Sequence, residues 1–300
     1  MGLLISGQGM AIPQPRSVAI RVAKPEDATA AGKICYEAFR QINADHSFPP
    51  DFPNVEAAVA VLSMAFSNPH FYCVVAESDG RIVGSNCLDE RGAIAGVGPI
   101  TVDPGFQNGG LGRSLMDAVL RRARERRCAG IRLIQAAFHN RSLTLYAKLG
   151  FVVREPVAVM QGPALRQKIE GLPVRKANIS DMPQCNEIAV QVHGHDRAGE
   201  LADAVQQGTA VVVSRGGRIT GYATALAFFG HAVAQSNQDL EALIASAEVL
   251  GGPGILVPTR NAALFRWCLD NGLRVVEPMT LMSIGLYNEP AGAWLPSILF

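Results

Sequence analysis

The sequence predicts a mixed α/β fold, with helices packed on mixed sheets, built as two similar halves. The first observation is length, because 300 residues are about twice the size of a common single domain. The second is composition: hydrophobic residues make up 48% of the chain and charged residues 18%, which is enough apolar material for two cores. The third is a succession of short strands and amphipathic helices that starts again after a linker at residues 163–172.

The first half, residues 18–162, contains a continuous series of strand and helix patterns. Glu26 and Asp27 place acidic side chains in the first turn of a helix, where they suit the positive end of its dipole. Asp79-Gly80 separates two apolar runs and predicts a hairpin. In order, the sequence predicts a strand at 19–22, a helix opening at 24–27, a helix at 55–66, strands at 71–77, 82–88 and 93–102, a helix at 111–127, a strand at 131–136, a helix at 142–149 and a strand at 151–160.

The second half, residues 173–300, repeats this order. Residues 140–150 followed by Val-Val-Arg-Glu-Pro match residues 261–272 followed by Val-Val-Glu-Pro. An internal duplication is the simplest account, and chance similarity between two unrelated α/β domains is the alternative. The two predicted domains are therefore residues 18–162 and 173–300. The apolar tail at residues 294–300 is expected to dock as a strand or plug.

A glycine-rich loop at residues 102–113 lies between a predicted strand and a predicted helix. Backbone N–H groups in such a turn converge at the positive end of the helix, which suits a pyrophosphate. Glycine permits positive φ and close approach of a ligand to the backbone. Arg113 can add a charge-assisted hydrogen bond to a phosphate. The spacing is neither that of a nucleotide-triphosphatase loop nor Gly-x-Gly-x-x-Gly, so the loop alone is a weak signal.

With its flanking residues the loop resembles motif A of the GCN5-related N-acetyltransferase (GNAT) family, Gln/Arg-x-x-Gly-x-Gly/Ala after a strand ending in Val-x-Pro. The matching residues are Val102, Pro104, Gln107, Gly110 and Gly112 in motif A, and Asn140, Leu145, Tyr146, Gly150 and Phe151 in motif B. The resemblance covers residues 18–162, whereas the second half shares only the element order and the repeat near its end. It implies two tandem GNAT-like acyl-CoA N-acyltransferase domains with a degenerate C-terminal copy.

The resemblance implies acetyl-CoA as the co-substrate and no metal. In this family the strand before the loop pairs with the pantetheine arm, and the loop amides hold the pyrophosphate. The implied cofactor-binding residues are Ile100, Thr101, Val102, Gln107, Asn108, Gly109, Gly110, Leu111, Gly112, Arg113 and Ser114.

Two residues are implied to be catalytic. Tyr146 matches the general acid that protonates the departing thiolate, since a phenol of ordinary pKa about 10 holds its proton better than a thiol of about 8.5. The alternative is a core aromatic residue. Asn140 matches the asparagine that hydrogen-bonds near the acetyl sulfur, and the alternative is an N-cap of the helix at Ser142. The implied reaction is acetyl transfer to a primary amine by direct attack in a ternary complex.

The general base and the acceptor site are not evident from the sequence. The predicted strand at residues 93–102 has no acidic residue, so Asp89 and Glu90, which end the preceding strand, are the nearest candidates. Asp45, His46 and Asp51 lie in a loop region that often forms the acceptor site in this family. A surface-loop role is the alternative for each. The acceptor is expected to be a small-molecule amine. A protein N-terminus or lysine is an alternative acceptor, and a coenzyme A-binding sensor without activity is an alternative function.

The second half lacks the features that imply catalysis. No Gln-x-x-Gly-x-Gly pattern occurs at the corresponding place, and Trp267 stands near the position of Tyr146. An indole cannot supply the acid proton, so the second half is interpreted as a non-catalytic copy whose strands wall the acceptor pocket.

Charge and targeting signals give expectations about partners and compartment. The net charge is +1, which gives no reason to expect nucleic acid or an anionic membrane as a partner. No apolar run reaches the roughly 18 residues of a membrane span. Met1 to Arg16 has no basic start and is expected to be a loose tail rather than a signal peptide. Six scattered cysteines predict buried or idle thiols. The chain is therefore expected to be cytoplasmic, and a homodimer is possible.

Overall fold

The computed structural model describes residues 18–299, so the predicted loose segment Met1 to Arg16 lies outside the described residues. The first half contains β1 (Val18–Val22), α1 (Ala28–Asp45), α2 (Val55–Ser67), β2 (Phe71–Ser78), β3 (Arg81–Asp89), β4 (Ile94–Val97), β5 (Thr101–Val102), α3 (Leu111–Glu125), β6 (Gly130–Ala136), α4 (Asn140–Lys148) and β7 (Val152–Gln161). The single strand predicted at residues 93–102 is two strands that are interrupted at Gly98-Pro99. Both pair with β3, but the pairing with β6 is made by β4.

The second half repeats the sequence of elements. It contains β8 (Val174–Lys176), α5 (Met182–His193), α6 (Ala198–Gln206), β9 (Val211–Arg215), β10 (Arg218–Ala223), β11 (Ala232–Ala234), α7 (Asn237–Ser246), β12 (Ile255–Pro258), α8 (Ala262–Asp270), β13 (Arg274–Gly285) and β14 (Ala293–Leu295). The mixed α/β fold of two similar halves is confirmed. The apolar tail docks as predicted, because β14 pairs with β11 and buries Trp294. No helix in the described part of the chain is long and apolar enough to cross a membrane.

Two sheets organise the described residues. A nine-stranded sheet has the order β1-β2-β3-β4-β6-β13-β7-β12, with β5 paired to β3. The β4–β6 pair is parallel, and the other pairs are antiparallel. A five-stranded antiparallel sheet has the order β14-β11-β10-β9-β8.

The two halves exchange strands in the larger sheet. Strand β13 of the second half lies between β6 and β7 of the first, and β7 lies between β13 and β12. On β13, Leu281 is opposite Ile134 of β6 and Glu155 of β7. Leu281 and Ile134 belong to a buried cluster that also contains Tyr222 of the second half. The halves therefore share one hydrogen-bonded sheet and one core.

The cysteine prediction needs one correction. Cys73 and Cys87 stand directly opposite each other on β2 and β3, and the structure joins them in a buried disulfide. The antiparallel register brings the two side chains together on one face, which their spacing in the sequence does not reveal. The other four cysteines, Cys35, Cys128, Cys185 and Cys268, are free thiols.

Candidate active site

A cavity of about 630 Å³ opens where β4 and β6 separate. The two strands pair only from Ile94 to Gly96. Beyond that point residues 101–102 pair with β3, while β6 continues to Ala136. Residues 97–102 and 133–136 line the cavity on its two sides. The separation leaves backbone N–H and C=O groups facing a space that can hold an extended ligand arm.

The glycine-rich loop forms one end of this cavity. Helix α3 begins after Gly110, which has φ of 82° and no side-chain cap, and Asn108 also has a positive φ of 67°. Within residues 18–299, none of the amide N–H groups of residues 108–113 donates to a backbone carbonyl. These free donors lie at the positive end of α3, which is a suitable place for a phosphate group.

Side-chain hydrogen bonds stabilise the glycine-rich loop. The Asp103 carboxylate accepts a hydrogen bond from the amide of Gly105 at 2.8 Å. Gln107 donates to the carbonyl of Val102 at 3.2 Å and accepts from Arg141 at 3.2 Å. Arg113 and Arg141 both line the cavity and bring positive charge to its phosphate-suited end. Sequence reasoning missed Arg141, because only its contact with Gln107 connects it to the loop.

Most predicted cofactor residues line the cavity. They are Ile100, Thr101, Val102, Gln107, Asn108, Gly110, Leu111, Gly112 and Arg113. Gly109 and Ser114 are not among the lining residues, and the Ser114 amide donates to Gly110 in the first turn of α3.

Tyr146 of α4 lines the cavity and is otherwise buried, with 6% of its surface exposed. Its ring packs edge-to-face on Phe151, with centroids 6.0 Å apart. Burial raises the pKa of Tyr146 to about 12, although a hydrogen bond with the Ser142 side chain opposes the rise. The Ser142 hydroxyl is also 2.7 Å from Nδ1 of His139. Tyr146 therefore keeps its proton at neutral pH and stands in a hydrogen-bonded series with Ser142 and His139.

The structure places Asn140 outside the cavity. Asn140 is the first residue of α4 and is exposed, and its carbonyl accepts from the Thr144 hydroxyl at 2.8 Å. His139, one residue earlier, lines the cavity. Burial lowers the pKa of His139, so its imidazole is neutral at pH 7.

Of the residues predicted for the general base or the acceptor site, His46, Asp89 and Glu90 are not among those that line the cavity, whereas Asp45 and Asp51 are. His46 is exposed at the end of α1, with Nδ1 2.9 Å from the carbonyl of Ile42. Asp89 forms an ion pair with Arg91 at 2.6 Å, and Glu90 forms one with Arg122 at 2.7 Å. Both carboxylates are held in ion pairs by arginines, and neither is among the residues that line the cavity.

Two other carboxyl groups do meet inside the cavity. Asp51, from the segment between α1 and α2, hydrogen-bonds to Glu277 of β13, and both line the cavity. Glu277 is 2% exposed. Burial raises the pKa of each carboxyl, and for Glu277 the charge of Asp51 raises it further. Asp51 fell in a region expected to bind the acceptor, but nothing in the sequence pointed to Glu277 as its partner.

In the second half, polar side chains occupy the N-terminus of α7, the helix that corresponds to α3. At the start of α7 the Ser236 side chain caps the helix by accepting from the amide of Asp239. The buried Asp239 carboxylate accepts from the Thr220 hydroxyl at 2.8 Å. A carboxylate and a hydroxyl thus occupy the helix end that would face a phosphate, which disfavours an anionic ligand.

The second half also lacks the tyrosine. Tyr146 lies four residues before Gly150, and the residue four before Gly272 is the buried Cys268. The structural counterpart of Tyr146 is thus Cys268 and not the neighbouring Trp267.

Comparisons with known proteins agree with this geometry. Residues 36–151 match the model of the acetyltransferase (GNAT) family. The chain carries a GNAT acetyltransferase domain. Members of this family are acyl-CoA N-acyltransferases that use acetyl-CoA. A comparison with curated proteins finds no match.

Solved structures with this arrangement cover almost the whole chain. A putative acetyltransferase from Pyrococcus horikoshii is 20% identical with a TM-score of 0.74, over 96% of this chain and 97% of that one. A GCN5-related N-acetyltransferase from Sphaerobacter thermophilus is 15% identical with a TM-score of 0.59, over 91% and 96%. A tandem GNAT protein from the clavulanic acid biosynthesis pathway is 14% identical with a TM-score of 0.55, over 94% and 100%. At these identities the likeness establishes the fold, which is a tandem GNAT fold.

Proposed function

We propose that the GNAT domain transfers an acetyl group from acetyl-CoA to the primary amine of a small molecule, by direct attack in a ternary complex. The observation that carries this proposal is that the loop with free backbone amides and Tyr146 line the same cavity. A phosphate-suited end and a proton donor within the same cavity are what a thioester of coenzyme A requires.

The cofactor would lie along the open strand edges. Residues 108–113 would hold the pyrophosphate through their amides, and Arg113 and Arg141 would add charge-assisted hydrogen bonds. The backbone of residues 100–102 would pair with the pantetheine arm, since this segment borders the gap between β5 and β6. The acetyl group would then lie within the same cavity as Tyr146.

The chemistry follows from the order of bond changes. The amine nitrogen attacks the thioester carbonyl carbon, the carbon–sulfur bond breaks, and the sulfur receives the Tyr146 proton. Because burial raises the pKa of Tyr146 to about 12, the hydroxyl keeps its proton until the thiolate forms. The hydrogen bond from Ser142 stabilises the phenolate that results, and the series through His139 offers a path for its reprotonation.

Thiol release from acetyl-CoA tests the proposal. The protein is incubated with acetyl-CoA and separate panels of small amines and lysine peptides, and free thiol and acetylated product are both measured. We expect thiol and acetyl-amine to form in equal amounts with at least one small amine. Turnover with peptides alone would indicate a protein acetyltransferase. Tight coenzyme A binding without turnover of any amine or peptide would indicate a binding module.

The loop is tested by a matched pair of glycine substitutions. Gly110 and Gly80 have positive φ of 82° and 73°, and an added Cβ meets no atom within 4 Å at either site. An L-residue in this region costs about 1–2 kcal/mol, so both alanine variants should lose similar stability. Only Gly110→Ala should weaken coenzyme A binding, by about tenfold, because its loop must distort or the Cβ must approach the pyrophosphate. Calorimetric titration with coenzyme A measures this, and equal weakening by Gly80→Ala would contradict the assignment.

A further inference from the structure

The Asp51–Glu277 pair differs from other buried carboxylates in this protein. Several of those are neutralised by an arginine; they include Asp27 with Arg21, Glu155 with Arg260, Asp181 with Arg175 and Asp239 with Arg215. Within the described chain neither Asp51 nor Glu277 has a basic partner, and the additional contact of Asp51 is a hydrogen bond with the Asn43 side chain. A buried acidic pair without a counter-ion is costly unless it shares a proton or binds a cation.

An independent feature of the same cavity also indicates a missing ligand. Gln135 of β6 lines the cavity, is 5% exposed, and has no hydrogen-bond partner within residues 18–299 for either its side-chain nitrogen or its oxygen. Buried amides are nearly always hydrogen-bonded. Gln135 therefore offers a donor and an acceptor to whatever occupies the cavity.

The remaining walls near the pair are mainly apolar. They come from both halves of the protein and include Phe39, Phe52, Phe228, Phe229, Met279 and Leu299. A ligand that fits this space carries its charge at one end and apolar carbon on the rest of its body.

We propose that this cavity binds the acceptor as a primary ammonium on an apolar body, with no carboxylate beside the amine, and that Asp51 and Glu277 bind it and accept its first proton. The inference rests on the proposed acetyl transfer and names its substrate class. Carboxylate oxygens of the pair accept hydrogen bonds from the ammonium, and the unpartnered Gln135 amide is available to a polar atom elsewhere in the bound ligands. An amino acid would bring its own carboxylate against the pair and be repelled.

The proton balance closes with residues of this cavity. One proton passes from the ammonium to the carboxyl pair and on to solvent, which frees the nitrogen lone pair. The nitrogen then forms the carbon–nitrogen bond and the carbon–sulfur bond breaks. The second proton lost by the nitrogen compensates for the one that Tyr146 gives to sulfur. No oxidant, reductant or metal enters the balance.

Glu277 belongs to the second half, which has no cofactor loop, so this half would take part in catalysis. Glu277 reaches the cavity because β13 is inserted between β6 and β7, and the Pro278 carbonyl next to it accepts from the amide of Ala137 at 2.9 Å. The degenerate half would thus complete the acceptor site of the other half.

The pH dependence follows from the groups that face the cavity. Besides the pair, these are Asp45 of α1, His139 and Tyr146, with Arg113 and Arg141 at the phosphate end. Burial raises the pKa values of both paired carboxyls. As the pH falls, the pair therefore becomes fully protonated and uncharged at a pH above the ordinary carboxyl pKa of about 4. Amine binding should therefore weaken as the pH falls, with a midpoint above that of an exposed carboxylate.

Calorimetry with two matched probes tests the inference without requiring turnover. The full chain saturated with coenzyme A is titrated with 2-phenylethylamine and with phenylalanine, which differ by one carboxylate. We expect the amine to bind at least about tenfold more tightly. Glu277→Gln and Asp51→Asn should each weaken amine binding by at least about tenfold, with unchanged coenzyme A affinity and melting temperature. Glu277→Asp should restore part of the loss.

Asp270→Asn is the matched control, since it removes an exposed carboxylate at the end of α8, and Asp270 is not among the residues that line the cavity. It should change amine binding by less than about threefold. The inference fails if phenylalanine binds as well as the amine, if Asp270→Asn weakens binding as much as Glu277→Gln, or if the unaltered protein binds neither probe. Acetyl-CoA turnover with other amines would in those cases leave the proposed function standing, so the two failures are distinguishable.

Discussion

Replacing Tyr146 with phenylalanine is expected to lower kcat for acetyl transfer by a factor of about 10²–10⁴, the usual contribution of a general acid. The variant removes one hydroxyl from a buried ring and keeps the edge-to-face contact with Phe151. The leaving thiolate would then have to depart unprotonated or take a proton from water. Steady-state kinetics at saturating acetyl-CoA measure the loss, while calorimetry should show unchanged coenzyme A affinity.

Tyr222→Phe is the matched control for this experiment. Tyr222 is fully buried in the second half, and its hydroxyl has no hydrogen-bond partner in the described chain. Removing this hydroxyl breaks no hydrogen bond. The kcat of Tyr222→Phe should therefore stay within about twofold of that of the unaltered protein. A Tyr146→Phe enzyme that retains its kcat would show that Tyr146 is a core residue and that the proton comes from elsewhere.

Local sequence patterns predicted the parts of the site that lie on contiguous segments. The loop at residues 107–113 was identified from its glycine pattern between a predicted strand and a predicted helix, and Tyr146 from its match to motif B of the GNAT family. The same reasoning placed Asn140 in the site, whereas the structure brings His139 there. His139 is the N-cap of α4 and has a non-helical backbone, with φ of −87° and ψ of 76°, so its direction does not follow from the helical pattern of the residues after it.

Non-local contacts decided the rest. Asp89 and Glu90 are the general-base candidates nearest to the predicted strand in the sequence, but Arg91 and Arg122 hold them in ion pairs. The contact between Asp51 and Glu277 cannot be predicted from the sequence, because it depends on which strand is inserted between β6 and β7. The repeat also suggested two separate units, residues 18–162 and 173–300. In the structure, β6 and β7 of the first half form backbone hydrogen bonds with β13 of the second half. Both halves therefore contribute strands to one sheet.

This shared sheet predicts a large and coupled loss of stability when β13 is weakened. Leu281→Ala is expected to lower the free energy of unfolding by about 2–5 kcal/mol, because Leu281 is fully buried between the two halves. Both tryptophans, Trp267 and Trp294, lie in the second half, so their fluorescence follows that half in urea. Loss of coenzyme A binding follows the first half. With a common sheet and core, the two curves should shift together to lower urea concentration.

The control is Leu286→Ala, just beyond the end of β13, where the side chain is 44% exposed and substitution should change stability by less than about 0.5 kcal/mol. The Leu286 amide donates a hydrogen bond to the carbonyl of Ala129. This bond does not involve the side chain, so the backbone pairing at the end of β13 is kept in the variant. If Leu281→Ala moved the fluorescence curve and left coenzyme A binding at its original midpoint, the halves would unfold independently. Glu277 could then leave the cavity while the cofactor loop stayed folded, and a fixed Asp51–Glu277 site would lose its structural basis.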